Sequence, residues 1–152
     1  MSTSPRASGA ELRKRALALL ARREHSRAEL AARLAPHAES ETALAALLDE
    51  LERRGQLSDE RYAESRARSL ARKYGAARIR HELRAKGVAE SLIERVATGD
   101  ELERARAILA RRFRAPARTL EERARRARFL QRRGFSHDTI RRALSLSSAD
   151  AD

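Results

Sequence analysis

Leucines and alanines recur along this chain at steps of three and four, and the runs they form are closed by serine, proline or glycine. That spacing follows the 3.6-residue turn of a helix, and no stretch alternates apolar with polar residues over a β-branched run. Leu12, Ala16, Leu19 and Leu20 predict a first helix over about 11–24. Ser26 opens a second, with Glu29 three residues on as its reciprocal cap, Leu30 and Leu34 as the buried stripe, and Pro36 after its end. Leu44, Leu47, Leu48 and Leu51 place a third over about 41–54. A helix from Ser58 to about Tyr74, stopped by Gly75, turns Ala63, Ala67, Leu70 and Tyr74 to one face and Arg61, Ser65, Arg68 and Arg72 to the other. The next, about 76–86, buries Ile79 and Leu83 and leaves Arg80 and Arg84 outside, and a short helix over 89–97 follows. Beyond the joint Thr98-Gly99-Asp100 come helices over about 100–114, with Leu102, Ala105, Leu109 and Phe113 inward, over 119–133, with Leu120, Ala124 and Ala127 inward, and over 136–146.

A stop-and-start device is written twice at an offset of 47 residues, as Leu83-x3-Gly87-Val88-x4-Ile93 and Leu130-x3-Gly134-Phe135-x4-Ile140. A glycine just past a helix can take the left-handed conformation, and the apolar residue behind it can fold onto the leucine of the last turn and staple the next helix. A looser copy uses Leu51, Gly55, Leu57, Ser58 and Tyr62. A period of about 40–50 residues belongs to helical arrays. The expected fold is all-α, an elongated array of three tandem three-helix repeats over 11–57, 58–98 and 99–146, with flexible tails at 1–10 and 147–152.

Charge changes the picture from fold to partner. The net charge is +12, with 31 arginines among the 34 basic residues. Residues 1–57 hold 10 basic and 8 acidic groups, 58–98 hold 10 and 6, and 99–152 hold 14 and 8, so the excess rises along the chain. A coding bias toward arginine accounts for part of this, and a long polyanion such as DNA is the natural counterpart of the rest. There is no cysteine, no apolar signal core behind Arg6 and no stretch long enough to cross a membrane, which leads to the expectation of a cytoplasmic protein without disulfides.

Catalytic chemistry finds no foothold. No glycine-rich turn ends in Lys-Ser or Lys-Thr, and His81-Glu82 lacks the second histidine of a zinc helix because position 85 is alanine. His25, His37, His81 and His137 are scattered, with His25 and His137 at helix starts, where a polar surface role suffices. Asp49, Glu50 and Glu52 beside Arg53 and Arg54 read as a salt-bridged surface. No catalytic residue, cofactor or metal ligand is assigned. The candidate contact residues for a protein or nucleic-acid partner are Arg61, Arg68, Arg72, Arg80, Arg84, Arg125, Arg126, Arg132, Arg133 and Arg141. Arg125, Arg126, Arg132 and Arg133 surround Phe129, a ring expected to pack into a neighbouring helix. A base-reading helix-turn-helix is weakened by the absence of asparagine and by having only Gln56 and Gln131, and no aromatic platform offers itself for stacking bases.

The run Leu57-Ser58-Asp59-Glu60-Arg61-Tyr62-Ala63-Glu64-Ser65, with Tyr74-Gly75, Arg78-Ile79, Glu82-Leu83-Arg84 and Lys86-Gly87-Val88, resembles the RecX family of recombinase regulators. His25-Ser26-Arg27-Ala28-Glu29-Leu30 and Arg128-Phe129-Leu130-Gln131-Arg132-Arg133-Gly134-Phe135-Ser136 are similar to its other signature stretches, so the resemblance spans about 11–146. It implies three three-helix repeats and a non-enzymatic, monomeric protein acting in DNA repair, homologous recombination and the SOS response. Such a protein binds the RecA filament on single-stranded DNA, hindering its extension, ATP hydrolysis and strand exchange. Duplex DNA is a further candidate partner, and a free-standing basic DNA-binding protein, architectural or repressor, is the competing expectation.

Overall fold

The structure, a computed structural model, describes residues 8–96 and 99–149, without the side chains of 146–149. Its elements in chain order are α1 (Gly9–Arg22), α2 (Arg27–Leu34), a 3-10 turn (Ala35–His37), α3 (Glu41–Arg53), α4 (Asp59–Leu70), α5 (Ala76–Ala85), α6 (Glu90–Arg95), α7 (Glu101–Arg112), α8 (Leu120–Arg132) and α9 (His137–Ala149). Among the described residues there is no strand. Side-chain oxygens of Ser8, Ser26, Ser40, Asp100 and Thr119 cap the helices that follow them by accepting from first-turn N–H groups.

The glycine stops form as read. Gly55, Gly87 and Gly134 have φ of 72°, 80° and 88°. At Gly134 both bonds of a Schellman stop are present, Phe135 N–H to the Leu130 carbonyl at 3.2 Å and Gly134 N–H to the Gln131 carbonyl at 3.0 Å. Leu130, Phe135 and Ile140 then lie in one apolar cluster, the staple included.

The chain divides into two compact units, Met1–Ser65 with Arg84–Arg95, and Arg66–Leu83 with Val96–Asp152. The first is centred on Leu12, Ala16, Leu30, Leu34, Leu44, Leu47, Leu48, Leu51 and Leu57, with Leu19 and Leu20 packed on its edge. The second is centred on Ala105, Ile108, Leu109, Leu130, Phe135, Ile140 and Ala143, where α7 and α8 both pack on α9.

Several expectations are corrected. Helix α4 ends at Leu70, not Tyr74: Lys73 and Tyr74 N–H both turn back to the Leu70 carbonyl, at 3.0 and 2.9 Å. Gly75 is therefore no left-handed stop; it is a spacer, since a Cβ there would lie 2.4 Å from the Gly134 carbonyl oxygen. Leu120 is 84% exposed and Ala124 is also exposed, because the first turn of α8 projects beyond the apolar cluster. His25 is buried, its Nδ1 3.0 Å from the Arg23 carbonyl oxygen, where a surface role was expected. Glu29 does not return the cap to Ser26; its carboxylate pairs with Arg23 at 2.8 Å and Lys86 at 3.6 Å. Helix α1 begins at Gly9, within the tail expected at 1–10, because Ser8 caps it, and α9 runs three residues past Leu146 into the tail expected at 147–152; residues 1–7, Ala97, Thr98 and 150–152 lie outside the described residues.

Candidate anion-binding groove

Positive charge is divided unequally between the two units. The first has 14 basic and 13 acidic residues, a net of +1; the second has 20 and 9, a net of +11. Eight of the ten ion pairs among the described residues lie in the first unit, including Arg27 with Asp49 and Glu52, and Arg13 with Glu50. The remaining two join Arg141 and Arg142 to Asp138. The excess that rises along the sequence is thus gathered in one compact unit.

In that unit the chain leaves α4 as Arg72-Lys73-Tyr74-Gly75, and the end of a helix exposes carbonyls that no further turn will satisfy. Three arginines take them in order. Arg111 donates to the Arg72 carbonyl at 2.8 Å, Arg133 to that of Lys73 at 3.4 Å, and Arg104 to that of Tyr74 at 3.1 Å. Cations at this end also complement the helix dipole. The amide side of the turn is held as firmly: Gly75 N–H donates to the Arg133 carbonyl at 2.7 Å, and Ala76 N–H to the Glu101 carboxylate at 3.3 Å. The other oxygen of Glu101 accepts from the buried Thr139 hydroxyl at 3.2 Å.

Arg104 is the interior member of the set. Its Nε and Nη1 are buried with no hydrogen-bond partner, and its guanidinium stands 6.0 Å from the Phe135 ring centre. Burial pushes its pKa below the ordinary arginine value, against the opposing pull of Glu101 and Asp100.

The same turn forms one wall of an open groove of about 840 Å³, lined by Arg72, Lys73, Tyr74, Arg78, Ile108, Arg111, Arg112, Phe129, Arg132 and Arg133. Six guanidinium groups and one ammonium face it, and no carboxylate does. None of the seven cations makes an ion pair among the described residues. The rings act as spacers between them. Arg78 and Arg133 lie over Tyr74 at 5.1 and 5.6 Å, Arg133 lies over Phe129 at 5.0 Å, and Phe129 meets Phe113 edge-on at 5.6 Å and 89°. Such cation–ring contacts orient a guanidinium without neutralising it, leaving its N–H edge for an anion. The rings are thereby engaged, so the groove suits phosphate groups better than stacked bases. Among the described residues no three His, Cys, Asp or Glu side chains gather as a metal site, and no helix is long and apolar enough to cross a membrane.

Family models describing the second and third three-helix domains of RecX match residues 58–96 and 99–144. The chain belongs to the RecX family. It is 46% identical to the regulatory protein RecX of Leptothrix cholodnii, over 93% of this chain and 92% of that protein. Its identity to the regulatory protein RecX of Herbaspirillum seropedicae is 44%, over 93% and 94%. The crystal structure of RecX from Lactobacillus salivarius shares the fold, with a TM-score of 0.80 over 93% of this chain and 97% of that one at 21% identity. RecX is thus a family of regulatory proteins on a helical-repeat scaffold, not a family of enzymes.

Of the arginines singled out from the sequence, Arg72, Arg132 and Arg133 come together in the groove. Arg68, Arg80 and Arg125 are exposed and unpaired by any acid among the described residues. Arg126 turns away, donating to the Ala115 carbonyl at 2.6 Å with its guanidinium 4.7 Å from the Phe113 ring centre. Arg61 pairs with Glu24 at 3.0 Å, Arg84 with Glu90, and Arg141 with Asp138 at 2.7 Å, so these three carry partly neutralised charge. Lys73, Tyr74, Arg78, Arg111 and Arg112 were not singled out as contacts. Arg111 and Arg112 sit in the last turn of α7, directly before Phe113, and that end-of-helix position is the one signal for them in the sequence.

Proposed function

We propose that this chain regulates the RecA recombinase, chiefly by inhibition: it occupies the RecA filament on single-stranded DNA and so limits ATP hydrolysis, filament extension and strand exchange. The observation that carries the reading is the RecX match over 58–96 and 99–144, the stretch that also supplies every residue of the cationic groove. The proposal extends to a scaffold of three three-helix repeats at 11–57, 58–98 and 99–146, acting in the cytoplasm as a monomer in SOS-linked recombinational repair.

The mechanism is occupancy. A row of unpaired guanidinium groups neutralises phosphates and releases their condensed counterions, which gives affinity without base sequence. The nearly neutral first unit adds little to that electrostatic grip, and its surface is available to a protein partner.

A pull-down of purified RecA, with and without single-stranded DNA and ATP, tests the reading. Retention of RecA that rises when both DNA and nucleotide are present supports it. Tight, salt-sensitive binding to duplex DNA with no retention of RecA under any condition replaces it with the free-standing DNA-binding protein.

A further inference from the structure

The basic unit carries a second concavity of different chemistry. Its volume is about 520 Å³, and it is walled by the end of α7, the loop after it, α8 through Arg126, and α9. The floor is apolar, with Leu109, Phe113 and Ala143 in it, and three arginines, Arg106, Arg114 and Arg126, stand around it with no carboxylate among the lining residues. Arg126 braces the loop wall through its bond to the Ala115 carbonyl. Arg106 and Arg114 are exposed and make no ion pair among the described residues.

We propose that this cleft is a docking site for an acidic peptide segment of a partner protein, one that inserts an apolar side chain onto the floor while flanking carboxylates meet the arginine rim. Both halves of that chemistry are needed. An apolar floor ringed by one sign of charge rewards a ligand that matches both, through burial and through charge-assisted bonds at the rim. A nucleobase is the poorer occupant: the one ring in the cleft, Phe113, is already taken by Arg126 at 4.7 Å, Arg112 at 5.6 Å and the edge-on Phe129. The inference goes beyond the regulatory reading above and does not depend on which recombinase is bound.

The test is fluorescence anisotropy of two labelled peptides of equal charge, titrated with the full chain. In one, aspartates and glutamates flank a Leu-Phe pair; in the other they flank Ser-Ser. The Leu-Phe peptide should bind at least tenfold tighter, a difference of about 1.4 kcal/mol. Ala110→Glu and Arg114→Glu, at exposed positions of the cleft and checked for an unchanged thermal melt, should each weaken it at least fivefold, whereas Arg72→Glu in the groove should change it less than twofold. Equal binding of the two peptides, which would mean charge attraction alone, overturns the proposal. So does a deoxythymidine oligonucleotide that displaces the peptide and itself loses binding in Ala110→Glu, which would make the cleft a nucleic-acid site. Undiminished peptide binding by both cleft variants would also overturn it.

Discussion

Gly75 and Gly134 meet backbone to backbone: a Cβ on Gly75 would lie 2.4 Å from the Gly134 carbonyl oxygen, and one on Gly134 would lie 2.5 Å from the Arg78 Cβ. Two turns therefore touch with no side chain between them, and the Gly75 N–H closes the contact on the Arg133 carbonyl at 2.7 Å. Because Arg72, Lys73 and Tyr74 precede one glycine and Arg132 and Arg133 the other, this contact is what brings their side chains into one groove.

Substitution at these glycines should rank by geometry. Gly55→Ala meets open space and only the left-handed φ of 72°, a cost of about 1–2 kcal/mol. Gly75→Ala drives a methyl group into backbone that cannot move aside and should cost at least about 3 kcal/mol, the upper end for overpacking. Urea unfolding of the two variants checks this, and a Gly75→Ala variant as stable as Gly55→Ala would contradict it.

Ser26 is fully buried and does two tasks: its hydroxyl accepts from Glu29 N–H at 3.1 Å as the cap of α2 and donates to the Lys86 carbonyl at 2.8 Å. Ser26→Ala removes the cap and leaves the part-buried Lys86 carbonyl short of a partner, so a loss of about 2 kcal/mol is expected. Ser40→Ala, an exposed cap with one bond, should lose about 1 kcal/mol in the same denaturation series.

Acid should unfasten the first unit through Glu29. Burial works against its ionised form, but the hydrogen bond from Arg23 and the charges of Arg23, His25 and Lys86 outweigh it, and the net pKa falls below the usual value. A depressed carboxyl gives stability that is fully present above the unfolded pKa of about 4.3 and is lost as pH falls through the lower folded value. The stability gap between the parent chain and Glu29→Gln should be constant near neutrality and close in that acid window. A gap that widens on acidification would refute the assignment.

Much of this was legible in the residues, and what escaped has a physical cause. The helices and the Ser26 cap follow from local signals, whereas Ser40 was passed over and Asp100 and Thr119 were counted inside the helices they cap, since spacing alone does not tell a cap from a first turn. The end of α4 escaped because Tyr74 keeps helical spacing with Leu70, while its carbonyl is claimed by Arg104, thirty residues away. Leu120 was misplaced because periodicity shows a face without showing how far the neighbouring helices reach along it. His25 looks like a surface cap residue until the chain folds over it. The groove itself was half visible: Arg72, Arg132 and Arg133 stand out by helical face, but their meeting with Arg111 and Arg112 is tertiary.

Charge reversal of Arg72 and Arg132 should leave stability within about 0.5 kcal/mol, since both side chains are exposed and unpaired. Binding of single-stranded DNA should weaken, and the log–log salt slope should shrink by roughly 0.7 for each phosphate contact removed. The same reversal at Arg61 and Arg84, already paired with acids, should have the smaller effect. Salt titrations of both double variants decide between them.

The most direct measurement is RecA-catalysed ATP hydrolysis on single-stranded DNA, titrated with the parent chain and with the Arg72→Glu/Arg132→Glu variant. Suppression by the parent at micromolar concentration, with the folded variant needing far more protein for the same effect, is the predicted result. Hydrolysis unchanged by the parent, or suppressed equally by both, would contradict regulation through this groove.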